Sequence, residues 1–85
     1  KEVGTLVSHQ KTNMELKKIL TSRELQIVEL LSQDLSYQEI ADRLQLTKRT
    51  VGFHIGNALS KTQYRSNVGL AVAFVKEQIE DNTLK

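Results

Sequence analysis

The chain has no cysteine, no proline and no tryptophan, and only four glycines, two tyrosines and two phenylalanines among 85 residues. Each scarcity removes a class of protein. Without cysteine there is neither a disulfide framework nor a thiolate metal site, and a domain this small buries only about 60% of the surface it exposes when unfolded. Its apolar core must therefore hold it, alone or with a second copy. The lack of proline and glycine, with Leu, Ile, Val, Glu, Lys and Gln recurring, favours helix over a turn-rich sheet. No apolar run approaches the roughly 18 to 20 residues of a bilayer span, and Lys1-Glu2-Val3-Gly4 does not open a signal peptide. The expectation is a soluble, cytoplasmic, all-α domain with no membrane partner. There is no glycine-rich phosphate loop, no CxxC and no HExxH, and the carboxylates fall in helix caps and on polar faces. No catalytic residue, metal or cofactor is assigned, and the chain is expected not to be an enzyme.

Acidic residues are missing from one stretch. The formal net charge is only +2, yet residues 43–65 hold Arg43, Lys48, Arg49, Lys61 and Arg65 with no Asp or Glu. A purely cationic segment in a nearly neutral domain is the footprint of a surface that neutralises phosphates. A solvated face is the plainer alternative.

What is present is a series of helix starts. Thr21-Ser22-Arg23-Glu24 and Ser36-Tyr37-Gln38-Glu39 both have the form of a capping box. After the first, Leu25, Val28 and Leu31 follow helical spacing, predicting a helix over about Ser22 to Gln33. After the second, Ile40, Ala41 and Leu44 make one apolar face of a short helix. Thr47 offers a third N-cap, and Val51, Ile55, Ala58 and Thr62 continue to about Gln63. A short helix, a turn of three or four residues and a longer helix form the unit whose second member can enter a major groove.

Ser66 or Asn67 caps a fourth helix that is apolar on more than one face. Val68, Ala71, Val72, Val75 and Ile79 are assigned to the bundle, leaving Leu70, Phe74 and Glu77 on a neighbouring stripe. Small domains rarely leave such a patch in water. Either a homodimer contact covers it, or residues 1–20 fold back over it.

These residues together carry a resemblance. From Leu20 to about Lys76 the chain resembles the LuxR/GerE-type helix-turn-helix domain. Leu20-Thr21-Ser22-Arg23-Glu24 opens it, Leu35-Ser36-Tyr37-Gln38-Glu39-Ile40-Ala41-Asp42-Arg43-Leu44 is the scaffold helix, and Thr47-Lys48-Arg49-Thr50-Val51 with His54 begins the recognition helix. The resemblance implies a four-helix bundle containing a helix-turn-helix, at the C-terminus of a bacterial transcription regulator whose fourth helix often mediates dimerisation. It also implies a division into 1–19 as linker or partial helix, 20–80 as the DNA-binding domain and 81–85 as tail. Double-stranded DNA is the expected partner, a second copy pairs through the fourth helix, and RNA polymerase is a further candidate.

The sequence departs from that family at identifiable points. Where members carry long polar or basic residues after the Thr-Val pair, this chain has Gly52, Phe53 and Gly56, and Lys61-Thr62-Gln63-Tyr64 replaces the usual Lys-Leu-Gly-hydrophobic turn. The glycines cost about 1 kcal/mol each against alanine inside a helix. They either let the backbone approach the duplex while Phe53 meets a thymine methyl, or mark a domain that depends on shape and phosphate contacts.

Lys48, Arg49, Lys61 and Arg65 are the phosphate candidates. Thr47 and Thr50 sit at the positive end of the recognition helix, and Asn57 is placed to bond adenine or a phosphate. His54, partly inward and without clustered acids, reads as a packed histidine. Two other readings stay open: region four of a sigma factor, which the scaffold helix also resembles, and a protein-interaction module with a degenerate recognition helix.

Overall fold

The computed structural model describes residues 15–84. It shows five helices and, among the described residues, no strand: α1 (Leu16–Ile19), α2 (Ser22–Leu31), α3 (Tyr37–Leu44), α4 (Lys48–Thr62) and α5 (Asn67–Leu84). Residues 1–14 of the expected linker lie outside the described residues. The rest of it is α1 and its cap, and Leu16 and Leu20 are core residues. At the other end α5 runs on to Leu84.

Both capping boxes form. The Thr21 hydroxyl accepts from the Glu24 amide at 3.1 Å and Glu24 Oε1 accepts from the Thr21 amide at 3.0 Å. Ser36 and Glu39 repeat the exchange at 3.1 and 2.8 Å. Thr47 accepts from the Thr50 amide at 3.1 Å to start α4, and Ser66 accepts from the Gly69 amide at 3.3 Å to start α5. Each side chain satisfies an amide that has no partner within its helix.

Helix ends were less legible. α2 stops at Leu31 rather than Gln33, because the Gln33 and Asp34 amides turn back to Leu30 and Leu31 at 3.0 Å and Asp34 goes left-handed at φ 67°. α3 ends on left-handed Gln45 (φ 59°), and the Leu46 amide reaches back to the Ala41 carbonyl at 2.9 Å, as in a Schellman ending. Only Gln45, Leu46 and Thr47 then separate α3 from α4. Gln63 (φ 68°) also closes α4 in the left-handed region, its amide donating to the Leu59 carbonyl at 2.8 Å, at the place where the resembled pattern has glycine. The departure therefore leaves the helix end in place and puts a side chain in a backbone region where L-residues cost about 1–2 kcal/mol.

α4 lies at the centre and packs against each of the other four helices. Its inward stripe of Val51, Ile55, Ala58 and Thr62 is buried against Ile27 and Val28 of α2, Ile40 and Ala41 of α3, and the α5 residues Leu70, Ala73 and Phe74. Thr62 is the polar member, and its hydroxyl donates to the Ala58 carbonyl at 2.8 Å, so it enters the core satisfied.

α5 packs with the opposite face from the one assigned to it. Leu70 is fully buried and Phe74 is 9% exposed, whereas Val68 (71%), Val72 (48%), Val75 (41%) and Ile79 (58%) face outward. Two apolar stripes competed, and the bundle took the one that carries Leu70, Ala73 and Phe74. Bonds from residues distant in the chain hold that choice. Asn67 Nδ2 donates to the Tyr37 hydroxyl at 2.8 Å, and both Glu77 carboxylate oxygens accept from the Leu16 amide at 2.9 Å. Leu70, Phe74 and Glu77 are therefore the inner stripe, and the outer one is the valine stripe.

Glu24 is the buried charge, 3% exposed, and Lys61 of α4 donates to its Oε1 at 2.7 Å. Burial alone would raise its pKa, but the Lys61 ammonium, the Thr21 amide and the Thr21 hydroxyl together outweigh burial and lower it. A carboxylate with a depressed folded pKa stabilises the fold above its unfolded pKa, and that contribution disappears as pH falls through the folded value. E24Q keeps the cap acceptor and loses the ion pair. The expected cost is about 1–2 kcal/mol at neutral pH, allowing for the solvent around the Lys61 head. Urea melts from about pH 7 to about pH 3 should show the gap between wild type and variant closing on the acid side.

Candidate nucleic-acid interface

Burying one stripe of α4 decides which side chains it presents outside. Steps of three and four residues opposite the buried stripe bring Arg49, Phe53, Gly56 and Ser60 onto one outward face, all four exposed. Asn57 and Thr50 lie half-buried at its edge, and Lys48 is exposed at the start of the helix. Arg65 is exposed in the turn before α5, and Arg43 in the last turn of α3. α4 contains no acidic residue.

Other predicted residues are placed differently. Gly52 is half-buried, and a Cβ built on it would meet the Tyr37 ring at 3.5 Å, so this glycine faces the scaffold helix and not the open side. Gly56 is open, with nothing within 4 Å of an added Cβ. Lys61 is tied to Glu24, which already matches its charge in the fold. Nothing in the sequence links these two residues, which stand 37 positions apart. Ser60 was not singled out, although it lies one helical turn beyond Gly56 on the same wheel position.

Thr47 and Thr50 form a small hydroxyl pair. Thr47 Oγ1 accepts from the Thr50 amide and donates to Thr50 Oγ1 at 2.9 Å. His54 is half-buried, with its ring edge-on to Phe53 at a centroid separation of 5.9 Å and an interplanar angle of 67°. Among the described residues no group of His, Cys, Asp and Glu could hold a metal ion.

The electrostatics of this face run against the helix. A helix N-terminus carries partial positive charge and favours acids, yet the first turn of α4 has Lys48 and Arg49 and no acid. α2 and α3 both place glutamate at the corresponding end. The cations are unfavourable for the isolated fold and suit an anion brought from outside.

The family described as bacterial regulatory proteins, luxR family (GerE), matches residues 18–74. The nitrate/nitrite response regulator protein NarP of Escherichia coli is 38% identical over 60 residues, covering 71% of this chain and 28% of NarP. The response regulator protein VraR of Staphylococcus aureus is 39% identical over 56 residues, covering 66% of this chain and 27% of VraR. The chain thus spans little more than a quarter of the length of these relatives. No solved structure gives a significant match.

K48E or R49E puts the charge favoured by the dipole at the α4 N-terminus. Each change is expected to raise stability by about 0.3–1 kcal/mol at low ionic strength, read as a higher thermal midpoint. A lower midpoint would mean that the cations serve the fold.

Proposed function

This chain belongs to the luxR family of bacterial regulatory proteins, and from that premise we infer that its DNA-binding, transcription-regulating domain lays α4 in the major groove as one of two copies paired through α5. Membership of that family decides between the two resemblances of the scaffold helix, in favour of the luxR regulators over the sigma factors. It also makes the domain a regulator rather than an enzyme.

The observation that carries the groove reading is the outward face of α4. It is acid-free, it begins with two cations placed against the helix dipole, and its middle, Phe53 and Gly56, is exposed. In the proposed pose Lys48 and Arg49, with the Thr47 and Thr50 hydroxyls, hold phosphates beside the helix N-terminus, and Arg65 takes a phosphate from the turn after α4. Phe53, Gly56, Asn57 and Ser60 face base edges. Such a domain acts where the chromosome is, in the cytoplasm.

The pairing of copies rests on the valine stripe. Val68, Val72, Val75 and Ile79 continue into a shallow groove of about 300 Å³ lined by Leu31 and Leu35, so apolar surface extends from α5 onto the α2–α3 turn. A two-fold axis through this stripe buries it on both copies and presents two α4 helices to successive major grooves. No helix among the described residues is long and apolar enough to cross a membrane and use the stripe that way.

Two measurements test these parts separately. In an anisotropy titration against random duplexes, wild-type affinity should fall steeply with salt, and K48A/R49A should bind more weakly with a log–log salt slope reduced by about 2. An unchanged slope would exclude phosphate contact by these two side chains. V72E should leave the fold intact and move the chain to the monomer in sedimentation equilibrium. A wild type that stays monomeric at all concentrations would rule out α5 pairing within these residues.

A further inference from the structure

We propose that Phe53 reads the binding site by packing on thymine methyl groups, so that apolar contact carries most of the sequence preference of this domain. The proposal rests on the reading of α4 as the groove helix and adds to it the base feature recognised.

Phe53 is 65% exposed in the middle of the outward stripe, and its one described ring contact is the edge of His54. Its neighbour Gly56 presents no side chain, and the open space around an added Cβ shows that packing does not require glycine there. The ring therefore stands proud of a helix surface cut back beside it. Hydrogen-bonding groups on the stripe are few: Arg49 toward one end, Ser60 toward the other, and half-buried Asn57 at the edge.

The major groove offers one apolar feature, the C5-methyl of thymine. A phenyl ring has no donor or acceptor for guanine N7 and O6 or cytosine N4, and covering those groups would leave them desolvated and unpaired. The thymine methyl under the middle of α4 is the part of the groove floor that the ring can cover without that loss.

Deoxyuridine in place of thymidine removes the methyl and keeps the O4 acceptor and the pairing, so it isolates the contact. The whole chain is used to enrich duplexes from a random pool, and an enriched duplex is resynthesised with deoxyuridine at each thymine in turn. Wild type, F53A and F53L are then titrated against the thymine and uracil forms. Loss of a methyl beneath α4 is expected to weaken wild-type binding about four-fold. F53A should bind both forms equally, and F53L should keep part of the preference. If wild type binds both forms equally while its affinity stays salt-dependent, the methyl reading is overturned and DNA binding stands. If wild type and F53A lose the same affinity on uracil, the methyl acts through duplex shape and the proposal fails. If wild type enriches nothing and binds neither form, the DNA-binding reading falls and takes this one with it.

Discussion

α4 has to be the centre of the core and the outermost surface at once, and most of the structure follows from that requirement. Its inward stripe touches all four other helices, so Val51, Ile55, Ala58 and Thr62 fix its rotation about its own axis. Once that rotation is set, Arg49, Phe53, Gly56 and Ser60 have no direction but outward. A change in the core that rolled α4 by even one residue would carry the whole outer face with it. The site is thus oriented by packing behind it, and its side chains need make no contact with each other.

The Glu24–Lys61 pair shows how the rotation is held near the far end of α4. Glu24 already belongs to the capping box that starts α2, so its position is set by the Thr21 backbone and hydroxyl before Lys61 arrives. Lys61 then ties the last turn of α4 to the first turn of α2. The same ammonium that the charge pattern offered to DNA partners the buried Glu24 carboxylate while its own side chain stays exposed, and a buried carboxylate left without a partner would be costly. The basic segment is therefore divided: Lys61 is matched by Glu24, while Lys48, Arg49 and Arg65 stand on the surface at either end of α4.

Features written in consecutive residues were legible in the sequence. The two capping boxes, the Thr47 cap, the short turn and the helix-turn-helix order all depend on neighbours within about four positions, and the structure repeats them. Features that depend on distant partners were not. The stripe that α5 buries could not be chosen from its own periodicity, because Leu70 and Phe74 compete with Val68, Val72 and Val75 over the same turns. What decides is the shape of the bundle, together with Tyr37 and Leu16, which reach α5 from 30 and 61 residues away. The orientation of Gly52 was hidden for the same reason, since its neighbour is the Tyr37 ring on another helix. Among local features, only the left-handed positions Asp34, Gln45 and Gln63 escaped, none of them the glycine that would have announced it.

α4 also concentrates residues that an isolated helix would disfavour. It contains Gly52 and Gly56, opens with two cations, and closes on a glutamine in the left-handed region. By helix propensity the two glycines alone cost about 2 kcal/mol against alanine. The helix forms regardless, because its stability is supplied by tertiary burial of one face and hardly depends on the other. Such a division leaves the outward residues free of any duty to the fold. Substitutions there change what the helix can touch without changing where it lies, whereas changes along Val51, Ile55 and Ala58 move the reading surface itself. A domain built this way can alter its recognition by surface substitution alone, and Phe53 with Gly56, where the resembled family carries long polar or basic side chains, fits that route.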